Sequence, residues 1–598
     1  MCSSDLARYL FVPLAEAVTF AMLASYLLSR TLVPTIARYL LKPPVEGAPP
    51  SQNPLARAQQ AFERRFEQLR HAYQALLTRL IARRAVFIPV FLGACLAAFL
   101  LIPQLGENFF PDTDSGQFTL HLRAATGTRI EETARLTDLV EAAIRREIPA
   151  DELDVILDNI GLPYSAINWM HGASGVIGAA DADVLVSLKA NHRPTADYIR
   201  ALREKLPVEF PGMTFYFLPA DIVTQILNFG QPAPIDIQIE GADVQGNRRV
   251  ADQMLNELRR VPGLVDLRIQ QRFDYPKFDV IVDRTKAGQG GFTVRDLASS
   301  LLISLSGSFQ TTPTFFLNWQ NGVSYNLATQ TPQYRIQTLH DLENIPITAP
   351  VTTRPAILAD VASITRSSEM AVLSHYNIRR VVDIHGAAQD RDLGAVGRDI
   401  AGIVDATRPH LPRGSYLTVR GQLATMRTAY VGLLAGLGFS IVLVYLLIVV
   451  NFQSWLDPFI IVTALPAALA GIVIFLFVTG TTLSVPALMG AIMSIGVATA
   501  NSILVVSFAK ERLAEHGDVA RAAVEAGFTR FRPVLMTALA MIIGMVPMAL
   551  GLGDGGEQNA PLGRAVIGGL MCATVATLIF VPSVFALLHG RRSPGAAR

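Results

Sequence analysis

Seven runs of about 20 apolar residues punctuate this chain, each long enough to cross the ~30 Å hydrocarbon core of a bilayer as a helix. They fall at Phe11–Ile36, Ala85–Ile102, Tyr430–Val450, Phe459–Phe477, Leu483–Phe508, Val534–Leu552 and Ala565–Leu588. In lipid, only a helix or a closed barrel satisfies its own backbone hydrogen bonds, so the runs read as spanning helices. A polar stretch from Gln104 to Thr425 separates the second run from the third. Buried core helices of a soluble protein would not be so long or so numerous. A hydrophobic share of 51% with only 17% charged residues agrees with a chain that passes the membrane many times.

Basic residues set the orientation, because cytoplasmic loops are enriched in Lys and Arg. Between the first two runs stand Lys42, Arg57, Arg64, Arg65, Arg70, Arg79, Arg83 and Arg84, against Glu46, Glu63 and Glu67. Lys510–Arg532 is basic near its ends, the tail holds Arg591, Arg592 and Arg598, and Gly553–Gly563 has neither Lys nor Arg. Alternating sides gives one consistent answer: basic segments and C-terminus inside, polar stretch outside. The outside stretch has no cysteine, so its stability cannot rest on disulfides. The first run is too long for a secretory signal and lacks a cleavage pattern.

Within the polar stretch, strands alternate with helices. Gln117–Ala124 alternates like a strand, Arg129–Arg146 is an amphipathic helix, and Leu153–Asn159 is a second strand. The unit recurs in Asp183–Lys189, Thr195–Lys205 and Thr214–Leu218, and again in Ile235–Glu240, Asn247–Val261 and Leu264–Ile269, with Lys277–Val282 as an added strand. A last copy, Arg379–Ile384, Leu393–Thr407 and Tyr416–Gly421, leads back to the apolar runs. Small βαβ units of this kind build an α+β sandwich.

Between Gly161 and Ala182 runs a long loop rich in Gly, Ala and Ser that holds Tyr164, Ile167, Trp169 and Met170. Long loops inside compact domains are often functional. Aromatic and adaptable side chains suit a gate over an apolar cavity, and they suit a local core equally. Phe215 and Phe217 share one strand face, as pocket lining or as sheet–helix core. The segment Leu55–Arg84 reads as an amphipathic helix, with Phe62, Phe66, Leu69, Tyr73, Leu76, Leu77 and Leu80 opposite Arg64, Arg70 and His71. Such a helix is expected along the cytoplasmic membrane surface.

No nucleophile–base–orienter arrangement, zinc spacing or phosphate-binding glycine loop is present, so a membrane-anchored enzyme or sensor with an outside domain is only the last alternative, and no cofactor is expected. His121, His171, His192, His340 and His375 are scattered. No basic patch in the outside stretch points to nucleic acid.

Several motifs carry a family resemblance. They are Phe110-Pro-Asp-Thr-Asp-Ser-Gly-Gln-Phe118 with Gly127-Thr128, Asn451-Phe-Gln-Ser-Trp-Leu-Asp-Pro458, Gly496-Val-Ala-Thr-Ala-Asn-Ser-Ile-Leu504, Arg530-Phe-Arg-Pro-Val-Leu-Met-Thr537, Pro561-Leu-Gly-Arg-Ala-Val-Ile-Gly-Gly569 and Val581-Pro582. In this order and on these sides of the membrane, they resemble the resistance-nodulation-division (RND) efflux permeases of the acriflavine-resistance, hydrophobe/amphiphile type. The likeness covers nearly the whole chain. It implies a polytopic α-helical membrane protein with a large α+β periplasmic porter and docking domain. The chain then reads as the sixth span (1–42), a cytoplasmic amphipathic segment (43–84), the seventh span (85–103), a porter and docking domain (104–425), spans eight to twelve (426–590) and a cytoplasmic tail (591–598). Met1-Cys-Ser-Ser-Asp5 matches nothing at that point of the family, so a piece of a longer protein is expected.

The resemblance further implies proton-driven export of hydrophobic and amphipathic compounds at the bacterial inner membrane. It implies a homotrimer in the bilayer that works with a periplasmic adaptor and an outer-membrane channel, the segment from Thr293 to Ala349 being the docking candidate. Thr537 matches a relay threonine, Arg530 a basic residue near the cytoplasmic proton path, and Asn501 an asparagine of the tenth span; interhelical hydrogen bonding explains Thr537 and Asn501 equally well. Ala500 stands where the family often has Lys. A metal-exporting permease of the same family is the alternative. Against it, Met170, Met213 and Met370 share no motif of soft ligands, and Leu483–Phe508 contains no acid.

Overall fold

The computed structural model describes residues 5–40, 54–162, 176–228, 230–349, 352–553 and 555–590. Seven helices in it are long and apolar enough to cross a membrane: Val12–Arg30, Arg84–Gln104, Gln422–Phe452, Leu456–Val478, Val485–His516, Val519–Ala549 and Ala560–Gly590. Each coincides with one of the seven apolar runs. The last is the hub of the bundle, packed between Leu456–Val478, Val485–His516 and Val519–Ala549. Its glycines permit this. A Cβ on Gly568 or Gly471 would collide with the backbone of the other helix, so the two helices meet backbone to backbone. By contrast, Val12–Arg30 buries none of its apolar window.

The amphipathic helix Pro54–Ala82 forms, but its setting differs from the sequence expectation. Rather than lying only on a membrane surface, it buries Tyr73, Leu77 and Ile81 against the helical bundle. Gly527 makes room, since any side chain there would meet Tyr73 and Leu77. Tyr73 donates to the Leu578 carbonyl (2.7 Å), within the π-helical turn Ala576–Phe580. Such turns release carbonyls from the ordinary ladder. The polar face is engaged too: Arg70 stacks over Phe528 (3.8 Å) and donates to its carbonyl (3.1 Å).

The polar stretch folds into two split β-α-β-β-α-β units rather than a string of βαβ repeats. In the first, β1 (Gln117–Arg123), β2 (Leu153–Ile160), β3 (Asp181–Leu188) and β4 (Thr214–Leu218) form an antiparallel sheet in the order β2-β3-β1-β4. Helices Ile130–Glu147 and Thr195–Glu209 cover one face, packing Val140, Ile144, Leu202 and Leu206 on Leu120, Leu122, Val184 and Val186. The Phe110–Phe118 motif serves this unit: Asp114 accepts from the backbone N–H (3.1 Å) and the hydroxyl (2.5 Å) of Thr195 at the start of the second helix.

The second unit opens with β5 (Ile235–Glu240), helix Val244–Leu258 and β6 (Leu264–Ile269). An inserted module follows: β7 (Tyr275–Val282), the hairpin β8 (Thr314–Asn318) and β9 (Val323–Leu327), the pair β10 (Pro346–Ala349) and β11 (Thr352–Ile357), and β12 (Ala362–Glu369), which returns to pair with β7. After the short β13 (His375–Tyr376), strand β14 (Arg379–Ala388), helix Leu393–Thr407 and β15 (Tyr416–Gly421) complete the unit in the order β15-β5-β14-β6. The two units therefore share one topology, and the candidate docking segment is an insertion between the second and third strands of the second. Edge strands β4 and β6 lie side by side. Arg203 grips Asp266 across that line through Nε (3.0 Å) and Nη2 (2.6 Å), which holds Asp266 at φ 55°, an uncommon backbone state for a non-glycine residue.

Candidate functional site

Polar side chains inside an apolar bundle are costly unless paired, so those in the spans come first. On Val485–His516, Asn501 is buried and its Oδ1 accepts from Thr537 Oγ1 (3.1 Å) on Val519–Ala549. One residue on, Ser502 and Thr577 join their hydroxyls (2.9 Å), both fully buried. Two of the proposed relay residues therefore meet. Arg530 lies about two helical turns, ~10 Å, from Thr537 and sits over the Phe508 ring (4.9 Å). Ala500 is exposed, about 100° around the helix from its buried neighbour Asn501. At the same end of the bundle, Asp457 from the Asn451–Pro458 motif is buried and pairs with Lys510 (2.9 Å) and His589 (3.3 Å).

At the other end, the segment Leu105–Phe110 is stitched to both halves of the molecule. Asn108 N donates to Leu483 O (2.9 Å) and Leu483 N to Gly106 O (3.0 Å), between two spans. Tyr430 donates toward the carbonyls of Asn108 (2.9 Å) and Leu483 (2.6 Å). The same segment caps the helix Leu393–Thr407, as Asn108 Oδ1 accepts from Leu393 N (2.8 Å) and Asp392 Oδ2 from Glu107 N (3.0 Å). Arg564 adds a strut, donating to Thr481 Oγ1 (2.6 Å) and Ala549 O (2.9 Å). Spans and second unit thus share one hydrogen-bonded joint.

The third constellation was missed by the sequence reading. On the sheet faces turned away from the helices, buried polar groups run across both units. Asp183 bonds His121 (Oδ1 to Nδ1, 2.6 Å), and His121 stacks on Tyr216 (4.3 Å between centroids). Arg268 of the second unit lies over the other face of this cluster, 3.6 Å from the Tyr216 centroid. In register with Arg268 stands His385, whose Nε2 is 3.4 Å from Asp236 Oδ1. Alongside, Asp181 takes Arg123 Nε (2.6 Å), Gln271 Nε2 donates to Asp383 (2.6 Å), and Gln238 Nε2 to Asp236 (3.0 Å). Asp236 Oδ1, Asp383 Oδ1, Gln238 Oε1 and His385 Nδ1 are buried with no hydrogen-bond partner. Burial alone would raise Asp181, but His121 and Arg123 outweigh it and hold its carboxyl at about 2. Asp383 goes the other way, raised by burial and then by the charge of Asp236. Burial lifts the Tyr216 phenol to about 12 and lowers the Arg268 guanidinium.

Of the pocket candidates, Tyr164, Ile167, Trp169 and Met170 lie outside the described residues. Phe215 and Phe217 turn to the helix-covered side of β4, against Phe210 (6.2 Å) and Phe118 (5.8 Å), and it is Tyr216 between them that reaches the polar face. Strand alternation forces that choice. The same alternation was the available signal for the polar row: His121 and Arg123, Asp181 and Asp183, Asp236 and Gln238, Asp383 and His385 each stand two apart in otherwise apolar strands. Among the described residues no group of three or more His, Cys, Asp or Glu is placed to hold a metal ion.

A bundle of long apolar helices joined to two split βαβ units defines a class of membrane permease. The chain belongs to the AcrB/AcrD/AcrF family, which it matches from residue 4 to residue 589, and so to the RND permeases. It is 25% identical over 588 residues to the cobalt-zinc-cadmium resistance protein CzcA of Cupriavidus metallidurans, covering 97% of this chain and 53% of that one. It is 24% identical over 591 residues to the swarming motility protein SwrC of Bacillus subtilis, covering 98% and 53%. The fold matches a crystal structure of a heavy metal efflux pump with a TM-score of 0.75 at 24% identity, over 88% of this chain and 52% of that one. The chain thus spans about half the length of the relatives it matches.

Proposed function

We propose that the chain forms the C-terminal half of a proton-driven exporter at a bacterial inner membrane, with the two split units outside, and that its cargo is a metal cation. The observation that carries the cargo reading is the match to a cobalt-zinc-cadmium resistance protein along 97% of the chain, both porter units included. It replaces the amphipathic cargo that the sequence motifs alone suggested. The polar row supplies suitable chemistry, since carboxylate and imidazole are ligands of borderline divalent ions. As built, those groups do not converge on one point, so a cation would have to draw them together or use side chains from elsewhere, the loop with Met170 among them.

In this reading the Thr537–Asn501 pair passes protons, Arg530 tunes their cytoplasmic entry, and the joint around Asn108 carries the resulting motion to the second unit. The working unit is a trimer with an adaptor and an outer-membrane channel. A second reading is export of amphipathic compounds gated by Tyr164, Ile167, Trp169 and Met170, as the family motifs of the sequence suggest. The full-length permease expressed in exporter-deficient cells decides between them. Raised tolerance to cobalt, zinc, cadmium or nickel salts, abolished by collapsing the proton gradient, supports the first. Tolerance to amphipathic dyes and detergents alone would overturn it in favour of the second.

A further inference from the structure

A cleft of about 860 Å³ opens where three helices meet at the end of the bundle remote from the porter units. Its walls are the last turns of Pro54–Ala82, the first turn of Arg84–Gln104 and the first turns of Val519–Ala549. Arg83, Arg84 and Arg521 line it, with Thr78, Val86 and Val524 and one carboxylate, Glu525, which Arg521 neutralises. The neighbouring arginines are already engaged. Arg70 pairs with Glu67 (3.2 Å), Arg532 with Glu63 (3.1 Å), and Arg521 with Glu525 (2.8 Å). Arg83 and Arg84 make no side-chain hydrogen bond or ion pair among the described residues. Two adjacent guanidiniums thus face a cleft large enough for a small-molecule headgroup, beside apolar walls.

The position selects the ligand. Arg84 begins one apolar span and Arg521 stands at the start of another helix that spans, which is the level of lipid headgroups at a cytoplasmic surface. Guanidinium pairs match the geometry of phosphate oxygens, and basic pockets between spans on this side suit anionic headgroups. Beside the buried stripe of Pro54–Ala82, on the same broad apolar face, Phe62, Leu69 and Leu76 recur at heptad spacing and are exposed, as contact with acyl chains requires.

We propose that this cleft is a binding site for the phosphate of an anionic phospholipid headgroup, held by Arg83 and Arg84, with Val86 and Val524 against the glycerol and upper acyl carbons. The proposal rests on the reading of this face as the cytoplasmic end of a membrane permease.

The test is native mass spectrometry of the full-length permease released from nanodiscs of phosphatidylglycerol and phosphatidylethanolamine. The wild type retains phosphatidylglycerol in preference. R83Q/R84Q loses that preference by about 30-fold, the equivalent of ~1 kcal/mol for each arginine near the surface. T78W, which fills the cleft without removing charge, loses it as well, and R83K/R84K keeps most of it, so misfolding is separable from loss of the site. Undiminished selectivity in R83Q/R84Q overturns the proposal. A second arm measures protection of the arginines from phenylglyoxal by inorganic phosphate in lipid-free detergent; protection there without lipid selection assigns the cleft to free phosphate and overturns the lipid source. Labelling of H516C by an impermeant maleimide from outside intact cells would show that the orientation has failed, independently of lipid retention.

Discussion

Asp181 and Asp383 are both buried, yet their surroundings push them in opposite directions. Asp181 lies below its ordinary value of 3.8, at about 2, so its stabilising contribution is complete above pH 3.8 and is lost as pH falls through 2. Asp383 lies above 3.8, so its contribution is present below that pH and is lost as pH rises. Asp181→Asn should therefore lower the thermal midpoint at pH 7, by the equivalent of ~3–5 kcal/mol for breaking a buried pair. Asp383→Asn should leave the midpoint unchanged or raise it, with the benefit growing as pH rises above 3.8. Melting curves across pH check both, and equal losses would mean that partners, not burial, dominate at Asp383. In the bundle, a bond such as Thr537–Asn501 is worth ~0.6 kcal/mol structurally, under threefold. If Thr537→Ala cuts transport tenfold or more while Thr537→Ser does not, the hydroxyl does more than hold helices together; a loss of threefold or less would leave it a packing bond.

Among the elements, spans and strands were legible because each obeys a local rule: length and apolarity for helices in lipid, alternation for strands. Strand pairing was not. β5 and β14 lie side by side although the whole inserted module separates them in sequence. No local pattern distinguishes a strand that closes one unit from one that opens the next, and so two split units were read as four repeats. The polar row was illegible for a related reason. His121 and Arg123 alternate with Leu120 and Leu122 as they would on a half-exposed strand, and only the assembled domain buries the second face. The joint at Asn108 was equally hidden, since its partners come from Tyr430, Leu483 and Leu393. Tyr430→Phe removes one donor between two carbonyls and should cost ~1–2 kcal/mol. If the joint transmits motion, the same change slows export in vesicles under an imposed proton gradient without lowering substrate binding. A fall in binding with an unchanged rate would place Tyr430 outside the coupling path.

For the molecule as a whole, orientation is directly testable. In cells with a permeabilised outer envelope, an impermeant thiol reagent should reach R413C beside β15 and should reach H516C only after the inner membrane is opened. The β8–β9 hairpin holds Phe315, Phe316, Leu317, Trp319 and Tyr325 all exposed, Trp319 at 83%. An apolar patch of this kind needs cover, and a neighbouring copy in the proposed trimer is the simplest. Phe316→Asp with Trp319→Asp should shift native mass spectra of the full-length permease from trimer toward monomer, and an intact trimer would assign the patch to another partner. The route by which that hairpin is attached has its own consequence. The inserted module leaves the second unit from β6 and returns to it at β14, strands that pair with each other about 4.8 Å apart. Two tethers so close behave as a single pivot. A single pivot fixes position far more than heading, so the heading of the module has to be set by contacts beyond the second unit, of the kind Arg272 makes in donating to Thr126 of the first.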